Sequence, residues 1–185
     1  MRFAIVDLEC SELHSDAGHL ICGGIKELGK PPVIIGLADV KRNDDPTTID
    51  EALALRLREE LEKFDGWITW NGKLFDVPFL NDRLTLCGHD LLEKRFHLDM
   101  MWFARMGQSR MKSSRLGWVA AQLGVKAKKT DLDIKTWKRA SAEALRGFKG
   151  GKSNYQYIID HNRADLYVTE GVYGRLKNRV QNIHK

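Results

Sequence analysis

Three β-rich runs of apolar residues open the chain. They are RFAIVDL at 2–8, HLICGGIKEL at 19–28 and PPVIIGLADV at 31–40. Because Gly, Pro and Ser punctuate the gaps between them, each run is predicted to form a separate strand. The pattern predicts a three-stranded antiparallel meander.

Helical periodicity follows the meander. In TIDEALALRLREELEKF, at 48–64, Leu and Ala recur at helical spacing, and acidic residues near the start suit the positive end of a helix dipole. The apolar run GWITW at 66–70 predicts a fourth strand. Since a helix connects it to the strands before it, we expect it to run parallel to the first. A helix ending at Gly88 and a fifth strand, RFHLD at 95–99, come next.

The remaining chain is predicted to be largely helical. Helices are expected at 114–123, with Ser113 or Ser114 as the cap, at 133–145 and at about 155–180. The stretch GFKGGKS at 147–153 is either an ordinary loop or a mobile edge of a substrate groove. Together these elements predict an α/β fold with a mixed five-stranded sheet flanked by helices.

Length and composition restrict the class of protein. With 185 residues, 43% of them hydrophobic, a single domain over 1–185 is expected. The three cysteines have no metal-ligand spacing and suit a reducing compartment. No apolar run approaches the roughly 18 residues that span a bilayer, and no signal-like segment starts the chain. We therefore expect a soluble intracellular protein, cytoplasmic or nucleoid-associated, with no membrane partner.

The net charge of the chain gives a modest indication of its partner. The formal net charge of +5 favours a polyanionic partner. Basic residues cluster between 105 and 152, interleaved with Trp118, Trp137 and Phe148. This arrangement is typical of surfaces that hold single strands, but solvated helix faces whose aromatic residues point into the core would produce it equally well.

Two acidic residues at the end of the first predicted strand are candidate metal ligands. Asp7 and Glu9, in VDLEC, point to the same side of a strand and repel each other unless a cation lies between them. Carboxylate oxygens are the ligands that Mg²⁺ takes. The alternative is a solvated strand or turn without a metal.

Further acids occur in two other segments. In WNGKLFDVPFL, at 70–80, Asp76 has apolar neighbours, and its alternative role is a helix cap. In YQYIIDHNRAD, Tyr157, His161 and Asp165 are four residues apart and share one helix face. Asp165 is expected to point inward; the alternative is a surface histidine paired with Asp165 or with Asp160.

The three motifs together carry a resemblance. VDLEC, WNGKLFDVPFL and HNRAD resemble the exonuclease motifs of DEDD, or DnaQ-like, 3′–5′ exonucleases, which have an RNase H-like fold. The likeness is greatest to the proofreading domains of B-family DNA polymerases, whose motifs read D-I-E-C and N-G-x-x-F-D-x-P. HLDMMWFAR and SSRLGWVAAQLGV resemble the segment between the second and third motifs, so the likeness extends over nearly the whole chain.

This resemblance implies a metal-dependent nuclease. Its metal ligands, carried over by position, are Asp7, Glu9, Asp76 and Asp165. They would hold two divalent ions, Mg²⁺ or Mn²⁺, against the scissile phosphate. Asp99 matches a position that supports the site in relatives, and capping of the next helix is its alternative role.

The third motif departs from the family pattern. Relatives have Tyr four residues before the last acid or His five residues before it, whereas this chain has His161 four residues before Asp165. We expect His161 to be the base that positions the attacking water, because imidazole titrates near neutral pH.

The resemblance also implies a substrate. Asn71 and Phe75 are expected near the terminal nucleotide, although a core position for Phe75 is equally compatible. Phosphate contacts are expected from basic residues, namely Lys128, Lys129, Lys135, Arg139, Lys149 and Lys152. The predicted function is 3′–5′ hydrolysis of single-stranded 3′ ends, DNA in preference to RNA, releasing nucleoside 5′-monophosphates. A replication or repair protein such as a polymerase is a further expected partner.

Two other functions are compatible with these motifs. One is a structure-selective, resolvase-like endonuclease on the same scaffold. The other is a nucleic-acid-binding module without catalysis, against which the presence of all four acids argues.

Overall fold

The elements of a computed structural model alternate much as the apolar pattern predicts. The structure describes residues 1–105, 111–131, 133–148 and 153–180. The strands are β1 (Phe3–Cys10), β2 (Leu20–Glu27), β3 (Val33–Gly36), β4 (Gly66–Thr69) and β5 (Phe96–Asp99). The helices are α1 (Glu51–Leu61), α2 (Asp76–Leu86), α3 (Met100–Arg105), α4 (Leu116–Gln122), α5 (Ile134–Leu145) and α6 (Ser153–Val180).

The strands form one mixed sheet in the order β3-β2-β1-β4-β5. β1, β2 and β3 pair antiparallel, which confirms the predicted meander. β4 pairs parallel with β1, and β5 pairs parallel with β4. The expected five-stranded α/β architecture is thus confirmed, with β1 at the centre of the sheet.

Side chains alternate along β1 between two apolar cores. Ala4, Val6 and Leu8 are buried with residues of α1 and α2. Ile5 is buried with residues of α3, α4 and α6. Since alternate residues of a strand share a face, Asp7 and Glu9 lie on the same side as Ile5, toward α6.

Several elements are shorter in the structure than the sequence pattern predicts. The first helix begins at Glu51 rather than at residue 48. The carboxylate of Asp50, its N-cap, accepts bonds from Arg83 and from the N–H of Leu20 instead of capping the helix. The third strand ends at Gly36, where the N–H donates to the carboxylate of Asp39 and the chain turns.

The central helices also differ in detail. α3 was not predicted as a helix with bounds of its own. The N-cap position of α4 is Arg115, whose side chain makes no capping bond, rather than Ser113 or Ser114. The hydroxyl of Ser113 accepts the N–H of Arg115. In the described ranges, the helices are too short or too polar to cross a bilayer.

Candidate functional site

Asp7 and Glu9 lie in the part of β1 that is no longer paired with β4. β1 pairs with β4 only through Phe3, Ala4 and Ile5, although β1 itself continues to Cys10. Both carboxylates are partly exposed. Beyond Ile5, the edge of β1 that faced β4 is open to groups from other elements.

Asp76 fills part of this opening. Its Oδ1 accepts the N–H of Leu8 at 2.8 Å, so the first residue of α2 is joined to the exposed edge of β1. The helix cap is Phe75, and the alternative of Asp76 as N-cap is therefore wrong. Only 5% of Asp76 is exposed, and this burial raises the pKa of its carboxyl to about 7.

Asp165 reaches the same place from α6. It is 4% exposed, and its Oδ2 accepts a bond from the ammonium of Lys129. Its Oδ1 is buried and has no hydrogen-bond partner among the described residues. A buried carboxylate oxygen without a donor is costly, so this atom faces a position where a cation or a donor would stabilise it.

The four acids influence one another electrostatically. Burial raises the pKa of Asp7 well above its usual range, and the charges of Glu9, Asp76 and Asp165 raise it further. Burial likewise raises the pKa of Glu9, with contributions from Asp165 and Asp76. The ammonium of Lys129 opposes both shifts. One lysine therefore faces a group of carboxylates that it cannot neutralise.

This donor set fits a hard divalent cation. Carboxylate oxygens are what Mg²⁺ and Mn²⁺ bind, and the unpartnered Oδ1 of Asp165 belongs to the same group. Among the described residues, no three His, Cys, Asp or Glu side chains already have the spacing of a metal centre. Lys129 is the cation that Asp165 contacts in this structure.

His161 lies one helical turn before Asp165. Its Nε2 is 3.9 Å from Asp165 Oδ2, and its Nδ1 is hydrogen-bonded to the hydroxyl of Thr130 at 2.5 Å. The ring stacks on Tyr157, with centroids 6.4 Å apart. With 4% of the residue exposed, the alternative of a surface histidine is wrong. Burial lowers the pKa of His161, and the neutral ring predominates at neutral pH.

Asn162 is a site residue that the sequence reasoning missed. Its Nδ2 donates to Asp7 at two atoms, the carboxylate Oδ2 at 2.8 Å and the backbone oxygen at 3.0 Å. It is completely buried, and a Cβ at Gly24 would lie 2.1 Å from its Oδ1. The available signal was its position between Ile158 and Leu166 on one helix face, where an amide needs a polar partner.

Asp99 organises the turn that carries Asn71. Its carboxylate accepts the N–H groups of Asn71 at 2.9 Å and Lys73 at 3.0 Å, and that of Met101 at 3.1 Å. The bond to Met101 fits the capping of α3, which begins at Met100, whereas support of the site by Asp99 stays a prediction. Asn71 has a φ of 69°, which asparagine tolerates better than most residues. Phe75 is half-buried against the core, with its ring 5.7 Å from that of Phe79.

A groove of about 1180 Å³ opens beside the acids. Its walls include Asp7, Asp165 and Asn71 and continue to Trp118. Of the expected phosphate-binding residues, Lys128 and Lys129 line it, whereas Lys135 and Arg139 are exposed on α5 and do not. Lys149 and Lys152 lie outside the described residues.

Two of the aromatic residues in the basic region have core contacts instead. Trp137 packs against the core and meets His161 edge-on at 6.0 Å. Phe148 packs edge-on against Tyr155 at 4.8 Å. For these two residues the core alternative is correct, and only Trp118 of the three lines the groove.

The comparisons with known proteins concern the fold and the superfamily. No curated protein sequence matches the chain. The structure of the family B DNA polymerase from the hyperthermophilic archaeon Pyrobaculum calidifontis is similar, with a TM-score of 0.62 and 15% identity. The match covers 92% of this chain but only 24% of the polymerase, and at this identity it shows the fold alone. A family model of the RNase H superfamily matches residues 4–177. Since this match extends from β1 almost to the end of α6, the chain belongs to the RNase H superfamily.

Proposed function

We propose that the protein is a metal-dependent 3′–5′ exonuclease of the DEDD type, acting on single-stranded nucleic acid, with DNA as the preferred substrate. The observation that carries the proposal is the convergence of Asp7, Glu9, Asp76 and Asp165 from β1, α2 and α6 at one open strand edge, with a single ammonium among them. A fold does not need such a cluster for stability, since like charges that share a buried site repel.

In this proposal the four carboxylates hold two divalent ions, Mg²⁺ or Mn²⁺. The ions, when bound, would lower the pKa of the attacking water and stabilise the leaving oxygen. Asn162 keeps the carboxylate of Asp7 oriented toward the cluster through its hydrogen bonds. Asp76 is fixed by the N–H of Leu8, so the site is oriented before substrate arrives.

His161 is proposed as the group that takes the proton of the water. In the tautomer whose Nδ1–H donates to the hydroxyl of Thr130, Nε2, on the side of Asp165, is the nitrogen that accepts. The lowered pKa keeps this nitrogen unprotonated at neutral pH. Water then adds to phosphorus while the P–O3′ bond breaks. The products are a nucleoside 5′-monophosphate and a strand shortened by one residue, with a proton on its new 3′ oxygen.

Substrate contacts follow from the walls of the site. Asn71 and Phe75, next to Asp76 in the chain, are proposed to contact the terminal nucleotide. Lys128 and Lys129 are proposed to contact phosphates, Lys129 by leaving Asp165 once cations bind there. Lys149 and Lys152 remain proposed phosphate contacts from the sequence alone. Because the fold of this chain resembles part of a DNA polymerase, we propose a replication or repair protein as a partner.

The test is hydrolysis of an oligonucleotide labelled at its 5′ end. With Mg²⁺ or Mn²⁺ we expect a ladder that shortens one nucleotide at a time, and with chelator no reaction. A 3′-blocked strand should resist. Nicking of a closed circle would indicate the endonuclease instead, and tight binding without any hydrolysis would indicate the non-catalytic module.

A further inference from the structure

Three consecutive N–H groups of the turn after β4 are bonded to side chains of β4 and β5. The carboxylate of Asp99 accepts the N–H groups of Asn71 at 2.9 Å and Lys73 at 3.0 Å. The N–H of Gly72, between them, donates to the hydroxyl of Thr69 at 3.2 Å. Two side chains at the ends of neighbouring strands therefore hold this turn.

The turn depends on these bonds because its backbone is unusual. Asn71 has a φ of 69°, in the left-handed region that few residues other than glycine adopt. Gly72 lies so close to Thr69 that an added Cβ would be 2.5 Å from the Cβ of Thr69. Asn71 also lines the groove beside the acids, so the place of its side chain depends on how firmly the turn is held.

The hydroxyl of Thr69 has a second partner, His97. Thr69 is completely buried, and the Nε2 of His97 lies 2.8 Å from its hydroxyl oxygen. A buried hydroxyl that accepts an N–H also needs an acceptor for its own proton. Burial lowers the pKa of His97 to about 4, so its ring is neutral at pH 7. In the tautomer protonated at Nδ1, the Nε2 of this ring accepts the proton of Thr69.

Strand pairing fixes His97 beside Thr69. β4 and β5 are parallel, with Trp67 opposite His97 and Thr69 opposite Asp99. Since alternate residues of a strand share a face, His97 and Asp99 point to the same side of β5. The ring of His97 also meets that of Trp67 edge-on, with centroids 5.9 Å apart. The sheet therefore places His97 where it bonds to Thr69.

We propose that His97 is a positioning residue, which acts through the hydroxyl of Thr69 to keep Asn71 in place for the terminal nucleotide. The proposal rests on the proposed exonuclease function, in which Asn71 contacts that nucleotide. It assigns no contact between His97 and substrate, and it leaves the four acids unchanged. Loss of these bonds should therefore weaken the hold on the nucleotide without altering the dependence on metal.

The hydrogen bonds can be tested without hydrolysis. Amide exchange of Gly72, followed by NMR of the free protein in chelator, reports the bond to Thr69. We expect Thr69→Val, which lacks the hydroxyl, and His97→Leu, which lacks its acceptor, to raise this exchange rate by about three- to tenfold. Thr69→Ser and His97→Gln keep the hydroxyl and the acceptor, respectively, and should exchange like the wild type. The control is His89→Leu, which removes a half-buried histidine that pairs with Glu51 instead.

A double-mutant cycle measures whether His97 acts through Asn71. On a labelled strand, His97→Leu should lower kcat/KM by about three- to tenfold, mainly through a higher KM. The Mn²⁺ concentration that gives half-maximal activity should stay at the wild-type value. In an Asn71→Gly background, which tolerates the left-handed φ, the same substitution should have no further effect because the positioned side chain is gone. His97→Gln should restore most of the activity, and His89→Leu should not change it.

The outcomes separate this proposal from the exonuclease function. Wild-type exchange of the Gly72 amide in both Thr69→Val and His97→Leu would overturn the proposal. Additive losses in the Asn71→Gly background, or a shifted Mn²⁺ dependence of His97→Leu, would contradict positioning through Asn71. If the wild type hydrolyses no strand while the Gly72 amide responds to His97→Leu, the exonuclease is refuted and the hold of His97 on the turn is supported.

Discussion

Two groups of carboxylates in this protein have opposite surroundings. Asp50 is fully buried, and both of its oxygens accept bonds from the guanidinium of Arg83, at 2.7 and 3.0 Å. Its Oδ2 also accepts the N–H of Leu20 at 2.8 Å. The acidic cluster around Asp7, by contrast, has four carboxylates, one lysine and an oxygen of Asp165 without a partner among the described residues.

We interpret this difference as one between an acid with a structural role and acids that are proposed metal ligands. One guanidinium for one carboxylate is what a buried ion pair needs, and Arg83 also donates to the carbonyls of Ser15 and Thr47. That pair joins α1 and α2 to the loop between β1 and β2. The acidic cluster has no such compensation, so its charge must be reduced by bound protons or cations. Substitutions in the two groups should therefore have opposite effects on stability and activity.

The largest effect is expected for Asp165→Asn. Removing a ligand of the proposed ions should lower kcat/KM by at least about 10³-fold, equivalent to about 4 kcal/mol. Thermal unfolding of the metal-free variant should occur at the wild-type temperature or higher, because a repulsive charge is lost. Asp160→Asn, at an exposed position of the same helix, serves as the control and should retain activity. Full activity of Asp165→Asn would exclude the proposed role.

Arg83→Met should act on stability instead. It leaves the carboxylate of Asp50 buried without its partner, which should lower the free energy of unfolding by about 3–5 kcal/mol. Urea denaturation measures the loss. The double variant Asp50→Asn/Arg83→Met should recover part of it, because no buried charge remains. A single variant as stable as the wild type would mean that water reaches Asp50.

Asn162→Ala is expected to have an intermediate effect. Loss of the two hydrogen bonds to Asp7 should lower activity or metal affinity by about 10- to 100-fold, as substitutions next to metal ligands usually do. A titration with Mn²⁺ should show weaker activation of the variant. Asn178→Ala, at an exposed position of α6, is the control. If Asn162→Ala only lowers stability and keeps its Mn²⁺ dependence, Asn162 has no positioning role.

The smallest effect is expected for the pH dependence of the unfolding temperature. Carboxyls whose pKa is raised by folding bind protons in the folded state that they release on unfolding, so the stability they contribute falls as pH rises through the folded pKa. For Asp76 that pKa is about 7. The unfolding temperature in chelator should therefore fall between about pH 5 and pH 8. Mn²⁺ should reduce this fall, and Asp76→Asn, which still accepts the N–H of Leu8, should flatten it. A pH dependence unchanged by either would contradict the shared charge of the cluster.

The sequence patterns predicted the local features better than the long-range ones. Strand alternation and helical spacing predicted the sheet and the inward face of α6, since both depend on nearby residues. The motifs also predicted Asp7, Asp76 and Asp165 as metal ligands, which stays a prediction, and in the structure their charges act on one another.

The unpredicted contacts join distant segments. The bonds from Asn162 to Asp7 and from Arg83 to Asp50 depend on how helices pack on the sheet, which no local pattern encodes. The same holds for Lys129, whose partner Asp165 is 36 residues away. Trp137 and Phe148 were indistinguishable from Trp118 in sequence, and only packing separates the groove residue from the two core residues.

The most direct test of the acidic cluster is a calorimetric titration with Mn²⁺ at about pH 7.5, close to the pKa of Asp76. The wild type should bind the ion saturably, Asp7→Asn should lose that binding, and Asp160→Asn should retain it. Absence of saturable binding in the wild type, or equal binding by Asp7→Asn, would contradict the account of these carboxylates as a metal centre.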